Sequence, residues 1–195
     1  ADEVVRRSKG LRITFINHAT TLLQLGSLNI LTDPMYSERS SPLSWVGPVR
    51  RHAPGIPLKE LPPIDLVILS HNHYDHTDLP SIDSLAAMHD PEFIVGPGCG
   101  ALLEEIGITR IGELDWNEAT TIGSLRISGE TCRHFSGRGW DDRQKTLWVS
   151  YVIEGVAARV YFAGDTGYGP HFRSARRRYG RFDLALLPIG AYKPR

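Results

Sequence analysis

The sequence predicts an α/β domain, and three features carry that prediction. Short apolar, β-prone runs alternate with helical stretches along the chain, the chain's candidate ligand residues all fall after such runs, and no internal repeat or low-complexity tract interrupts them. The 195 residues, 41% hydrophobic and 23% charged, have the composition of one globular domain with a sizeable core, read here as residues 1–195. Twenty-two basic residues offset twenty-two acidic ones, so no overall field recruits nucleic acid or an anionic membrane, and any such contact must be local. Cys99 and Cys132 stand far apart and outside any CxxC, which argues against a disulfide framework and a thiolate zinc site. A reducing, cytoplasmic compartment is therefore expected. No apolar run approaches bilayer length, and Ala1-Asp2-Glu3 has neither an initiator Met nor the core of a signal peptide, so residue 1 reads as a processing or expression boundary.

Leu11 to Ile16 alternates as a strand, and Thr21 to Leu25 with Leu28 to Leu31 forms a hairpin around Gly26-Ser27. His18, in the polar interruption between them, reads first as a hydrogen-bonded structural residue. Asp33, before Pro34, reads as a turn residue. From Pro34 to Pro63 seven prolines and few apolar pairs predict a long irregular excursion, of the kind that often serves function. Its apolar residues Met35, Tyr36, Leu43, Trp45 and Val46 suggest a loop packed on the domain ahead of a lipid- or substrate-facing lid. Leu66 to Leu69 has the pattern of a strand covered on both faces. Asp78 should cap a helix running to about His89, with His89 as a cation at its C-terminal end. Phe93 to Val95 reads as a short strand, and Gly100 to Ile106 as a helix closed by Gly107. Thr121 to Cys132 reads as a hairpin through Gly123-Ser124, and Thr146 to Glu154 should pair with Arg159 to Ala163. Pro170 to Tyr179 is a helix whose arginines most simply form a solvated face, and Phe182 to Ile189 reads as a further buried strand.

One stretch carries the chemistry. His71-Asn72-His73-Tyr74-Asp75-His76 follows the Leu66–Leu69 strand and places four metal-ligand side chains within six residues at the strand's mouth. His71 and His73, two apart in extended backbone, project to one side, as a single ion requires. Asp75 and His76, beyond a turn, can face a second ion, as in paired-metal hydrolases whose ions stand ~3.5–4 Å apart. His134, also at a strand end, is the candidate third imidazole around the first ion. Asp165, in Gly164-Asp165-Thr166, is the natural bridging carboxylate, because two adjacent dications need an anion between them.

His71-x-His73-x-Asp75-His76, a later lone His134 and Gly164-Asp165-Thr166 together resemble the metallo-β-lactamase-fold hydrolases. Asn17-His18-Ala19-Thr20-Thr21, Leu31-Thr32-Asp33-Pro34, Leu61-Pro62-Pro63-Ile64-Asp65, Gly112-Glu113-Leu114-Asp115-Trp116, Ala163 to Tyr168 and Pro188 to Tyr192 narrow the likeness to the group of phospholipases D that hydrolyse N-acylphosphatidylethanolamine. The resemblance implies a metallo-β-lactamase-like αββα sandwich. It also implies two divalent ions: His71, His73 and His134 on the first, Asp75 and His76 on the second, Asp165 between them. Zinc suits these ligands best, and manganese or iron accepts the same set. In the family the second ion takes a further histidine beyond the stretch matching Gly190 to Arg195. The expectation is therefore a domain lacking its C-terminal portion here, with its second site incomplete in this polypeptide. A second departure is Asn17, where the group more often has glycine.

The function expected is hydrolysis of a phosphodiester in a small-molecule or lipid substrate by a hydroxide held between two metals. Asp75 would orient or deprotonate the water, and His18 would contact substrate at the rim. A lactonase or other carboxylic-ester hydrolase of the same fold, or a non-catalytic metal-bound binding protein, are the alternatives. No added basic domain supports a nucleic-acid role. Peripheral membrane contact stays open, and nothing in the sequence indicates an oligomeric state.

Overall fold

The computed structural model describes residues 2–43 and 45–190. Its elements are α1 (Asp2–Val5), β1 (Arg12–Asn17), β2 (Thr20–Leu25), β3 (Leu28–Thr32), β4 (Leu66–Ile68), α2 (Leu79–His89), β5 (Glu92–Val95), α3 (Gly100–Glu104), β6 (Ile111–Glu113), β7 (Ala119–Ile122), β8 (Leu125–Glu130), β9 (Ser150–Glu154), β10 (Arg159–Phe162), α4 (Pro170–Tyr179) and β11 (Leu184–Leu186). They build two sheets, ordered β1-β2-β3-β4-β5-β6 and β11-β10-β9-β8-β7. In the first, β1 to β3 are antiparallel and β3 to β6 parallel; in the second only β10 and β11 run parallel.

The period of two along each strand divides the apolar residues between layers. Leu66 and Ile68 point into the core between the sheets, with Leu23, Ile30, Ile127, Tyr151 and Val160. Val67 and Leu69 face the opposite way, beneath Ile82 and Leu85 of α2 and Leu103 of α3. On the far side of the second sheet, Val152 and Tyr161 pack against Ala175 of α4. The result is the expected αββα sandwich. Tyr151, wholly buried, ties the sheets together by donating its hydroxyl to the Leu69 carbonyl at 3.1 Å.

Strand direction positions the site. Because β1 and β3 run the same way as β4, and β8 the same way as β10, the segments after all five strands emerge at one edge of the sandwich. There the Val149 amide bonds the Ser70 carbonyl across the sheets at 2.8 Å.

Several expectations need correction. Asp78 sits at the N-cap of α2 but makes no side-chain bond to that helix's amides. Its carboxylate instead accepts from the Tyr36 and Ser37 amides and the Ser37 and Ser81 hydroxyls, so it anchors the start of the long loop. His89 is no capping cation: burial lowers its pKa below the usual imidazole range, and an αL residue, Asp90, closes the helix by bonding Ala86 O. The 34–63 excursion is irregular as expected and is packed at both ends, through Met35 and Tyr36 at its start and Ile56, Leu58 and Leu61 at its close, while its middle stands away from the core. Met35 is buried, whereas Leu43, Trp45 and Val46 are exposed. The strand predicted over 182–189 is shorter, at Leu184–Leu186, and is not buried: it is an edge strand paired only with β10 among the described residues, with Leu187 and Ile189 exposed. The strand expected from Thr146 begins at Ser150, and β6, three residues long, lacks a sequence signal of its own. Ala191 and Tyr192, in the last resembling stretch, lie outside the described residues. Among those described, no helix is long and apolar enough to cross a membrane.

Candidate metal centre

Three imidazoles converge at the strand edge. His71 Nε2 and His73 Nδ1 are 2.8 Å apart, and His134 Nε2 stands 3.2 Å from each. Each of these atoms is either a donor or an acceptor, so two of the three must be alike and at least one contact is not a hydrogen bond. A cation among them resolves the conflict, since nitrogens at 2.0–2.1 Å from a tetrahedral zinc are ~3.3 Å apart. Burial, then the neighbouring imidazoles, pushes the His71 pKa far down. Burial pushes His134 down to about 4 and also lowers His73. The three rings are therefore neutral at physiological pH, as metal ligation requires.

A second group lies beside the first. His76 is wholly buried, and its Nε2 has no hydrogen-bond partner. That atom stands 3.5 Å from Asp165 Oδ2 and 3.7 Å from Asp75 Oδ2. Asp165 Oδ2 is also 3.9 Å from His134 Nε2, which places this carboxylate between the two groups. His18 Nε2 lies 3.1 Å from Asp75 Oδ2, with the His18 ring half exposed at the rim. His71/His73/His134, His18/Asp75/His76 and His71/His76/Asp165 each gather ligand atoms within 4.8 Å. All seven residues singled out in the sequence thus meet in one place, and His18 is bonded to the cluster rather than to a distant structural partner. Burial disfavours the charge on His76, but Asp33 and Asp165 outweigh it and lift its pKa to about 10. Burial would raise the Asp75 and Asp165 carboxyls, yet the hydrogen bond from His18 and the charge of His76 hold Asp75 well below its ordinary range, and His76 lowers Asp165.

Asp33 is the residue that sequence reasoning missed. It does sit at a bend, with φ +35°, but its carboxylate is wholly buried. Asp33 Oδ2 accepts from His76 Nδ1 at 2.6 Å and from the Ser70 hydroxyl at 2.6 Å, while Oδ1 takes the Ser70 amide at 2.7 Å. Ser70 Oγ, its hydroxyl hydrogen donated in the bond to Asp33, accepts from His71 Nδ1 at 2.9 Å. One carboxylate therefore keeps protons on the Nδ1 atoms of both His71 and His76 and turns their Nε2 atoms toward the cluster, the outer-shell role that carboxylates play around metal-ligating histidines. The available signal was its position at the end of the strand next to the ligand strand. Asn17, the other departure, donates to Met35 O and leaves its own buried Oδ1 without a partner.

Local folding explains the convergence. The His76 and Thr77 amides both bond His73 O, and the Thr77 hydroxyl bonds His71 O, which coils the ligand run into a compact turn. Gly164 lets the opposite sheet approach: at φ +57° a side chain is strained, and a Cβ there would come within 2.5 Å of Ser70 Cβ.

Fold and donor set together define a metallo-hydrolase architecture of the β-lactamase superfamily, and the chain belongs to that superfamily: the family model described as beta-lactamase superfamily domain matches residues 28–195. The chain is 44% identical over 184 residues to an uncharacterized protein of Mycobacterium tuberculosis, covering 93% of this chain and 49% of that one. It is also similar to two N-acyl-phosphatidylethanolamine-hydrolyzing phospholipases D. The first, phospholipase D 1 of Caenorhabditis elegans, is 34% identical over 95% of this chain and 55% of its own length. The second, the mitochondrial protein of Saccharomyces cerevisiae, is 32% identical over 93% and 40%. The chain thus spans about half the length of these curated relatives. Among solved structures, the metallo hydrolase Igni18 of Ignicoccus hospitalis shares the fold with a TM-score of 0.71 at 21% identity, over 93% of this chain and 72% of that one.

Proposed function

We propose that the protein is a binuclear metal-dependent hydrolase acting on a phosphodiester of the phospholipase D type. The observation that carries this reading is Asp165 Oδ2 standing between His134 Nε2 and His76 Nε2, which couples two clusters of ligand atoms into one site. In it, His71, His73 and His134 would hold one divalent ion, Asp75 and His76 would serve the second, and Asp165 would serve both. Zinc suits the imidazole and carboxylate donors, as manganese or iron would. Such ions supply a water of lowered pKa and positive charge for the phosphoryl oxygens. The chain's residues do the rest. Asp75 Oδ2, hydrogen-bonded to His18 at the rim, would orient the attacking water and take its proton. As the water oxygen bonds to phosphorus and the ester P–O bond breaks, the proton taken up by Asp75 passes on to the departing alkoxide, which leaves as the alcohol. Asp33 keeps His76 and His71 aimed throughout, and His18 at the rim meets the substrate. The choice of phosphodiester, in a lipid or a small molecule, rests on the likeness to the nematode and yeast phospholipases D.

The test is metal analysis of the full-length protein with turnover assays on paired phosphodiester and lactone panels, repeated for His134→Ala. About two ions per chain and phosphodiester turnover are expected, with loss of about one ion and of turnover by at least ~100-fold in the variant, the scale of removing a principal electrostatic contributor. A metal-loaded protein without phosphodiester turnover overturns the substrate class, and one that takes up no metal overturns the reading altogether.

A further inference from the structure

The loop that carries His134 reaches back over the ligand turn, and one side chain makes most of that contact. Arg138 Nη1 donates to the backbone carbonyls of Asn72 at 2.8 Å and Thr77 at 2.7 Å, the two ends of the turn that holds His73, Asp75 and His76. Its guanidinium carbon lies 3.9 Å from the centre of the Tyr74 ring, and the Tyr74 hydroxyl donates to Arg138 O at 3.3 Å. Next to it, the Gly137 amide bonds Asn72 Oδ1 at 2.8 Å. The arginine's own backbone is held in turn: Asp142 accepts the Arg138 amide on both carboxylate oxygens, at 3.0 and 2.8 Å, and the Gly139 amide at 2.7 Å.

One guanidinium nitrogen donates to both carbonyls while the planar group lies over the aromatic face; an ammonium has donors enough for the two carbonyls but no plane to stack there. None of these contacts touches a ligand nitrogen or carboxylate oxygen. They act on the backbone between ligands, and they bind the segment after His134 to the segment that supplies most of the other ligands. We propose that Arg138 is a positioning residue of the metal centre, a strut that holds the 72–77 turn against the His134 loop so that ligands from both sheets are in place before an ion arrives. This rests on the metal-binding reading above and extends it to a residue outside the ligand set.

The experiment compares the wild-type protein with Arg138→Met, which keeps an apolar stem but no donors, and Arg138→Lys. Each is stripped of metal, then titrated with zinc against a competing chelator and with cobalt(II) followed by its visible absorption. Near-ultraviolet circular dichroism of the metal-free proteins reports their folding. The Met variant is expected to fold as wild type and to bind zinc about 10–100-fold more weakly, the usual effect of removing an outer-shell partner. Its cobalt spectrum should be weakened and shifted, with partial recovery of affinity when methylguanidinium is added. The Lys variant should recover less than half of the loss on a logarithmic scale. Wild-type zinc affinity and an unchanged cobalt spectrum in the Met variant overturn the proposal. So does a Met variant already unfolded without metal alongside a Lys variant that binds as wild type, because Arg138 would then serve folding alone. A wild-type protein that takes up no metal removes the reading beneath the proposal, which is a different result from equal uptake by wild type and variant.

Discussion

Asp33 shows how one carboxylate can set two histidines without touching the space they face. Its Oδ2 is 2.6 Å from both His76 Nδ1 and Ser70 Oγ, so replacing it with asparagine keeps the shape but removes the charge and supplies an amide that can turn a donor toward His76. Asp33→Asn is expected to lower metal affinity by about 10–100-fold, read by chelator competition, while the chain remains folded. The seven candidate ligand and rim residues were legible because each is a type with little reason to cluster except to hold a cation, and four fall within one six-residue run. Asp33 was not legible for a physical reason. An aspartate before proline satisfies a turn locally, and its partner His76 is 43 residues away in the chain. Only the pairing of β3 with β4 brings them together.

At the scale of elements, strands buried on both faces were the easiest to read, since a continuous apolar run such as Leu66–Leu69 has few other uses. β6 and β11 were poorly read because strands of three residues depend on their neighbours more than on their own pattern. The Asp78 capping error has the same origin: the helix start was correct, but the carboxylate found better donors in the 36–37 loop than in its own helix. The segment from β10 into Asp165 turns on Gly164, whose position allows almost no substituent. Gly164→Ala combines a positive φ with a clash against Ser70 Cβ and should cost ~1–3 kcal/mol, measured by urea unfolding. Because Ser70 also bonds His71 Nδ1, the same variant should bind zinc more weakly.

For the whole molecule, the site's parts come from both halves of the sandwich. His18, Asp33 and the His71–His76 turn follow strands of the first sheet, and His134 and Asp165 follow strands of the second. Whatever binds the folded site but not the unfolded chain stabilises the fold by mass action, ~4 kcal/mol at a thousandfold excess over the dissociation constant. For a domain of this size each kcal/mol moves the midpoint by ~2–4 °C, so chelation should lower the melting temperature by roughly 8–16 °C in scanning calorimetry. The shared edge also means that neither sheet alone owns a complete set of donors. A bound ion would thus act as a clasp across the seam between the sheets: the layers could not part until it let go, and a chain whose halves had failed to meet would have nothing with which to grip it. Metal uptake would then double as a report that the two layers had closed correctly.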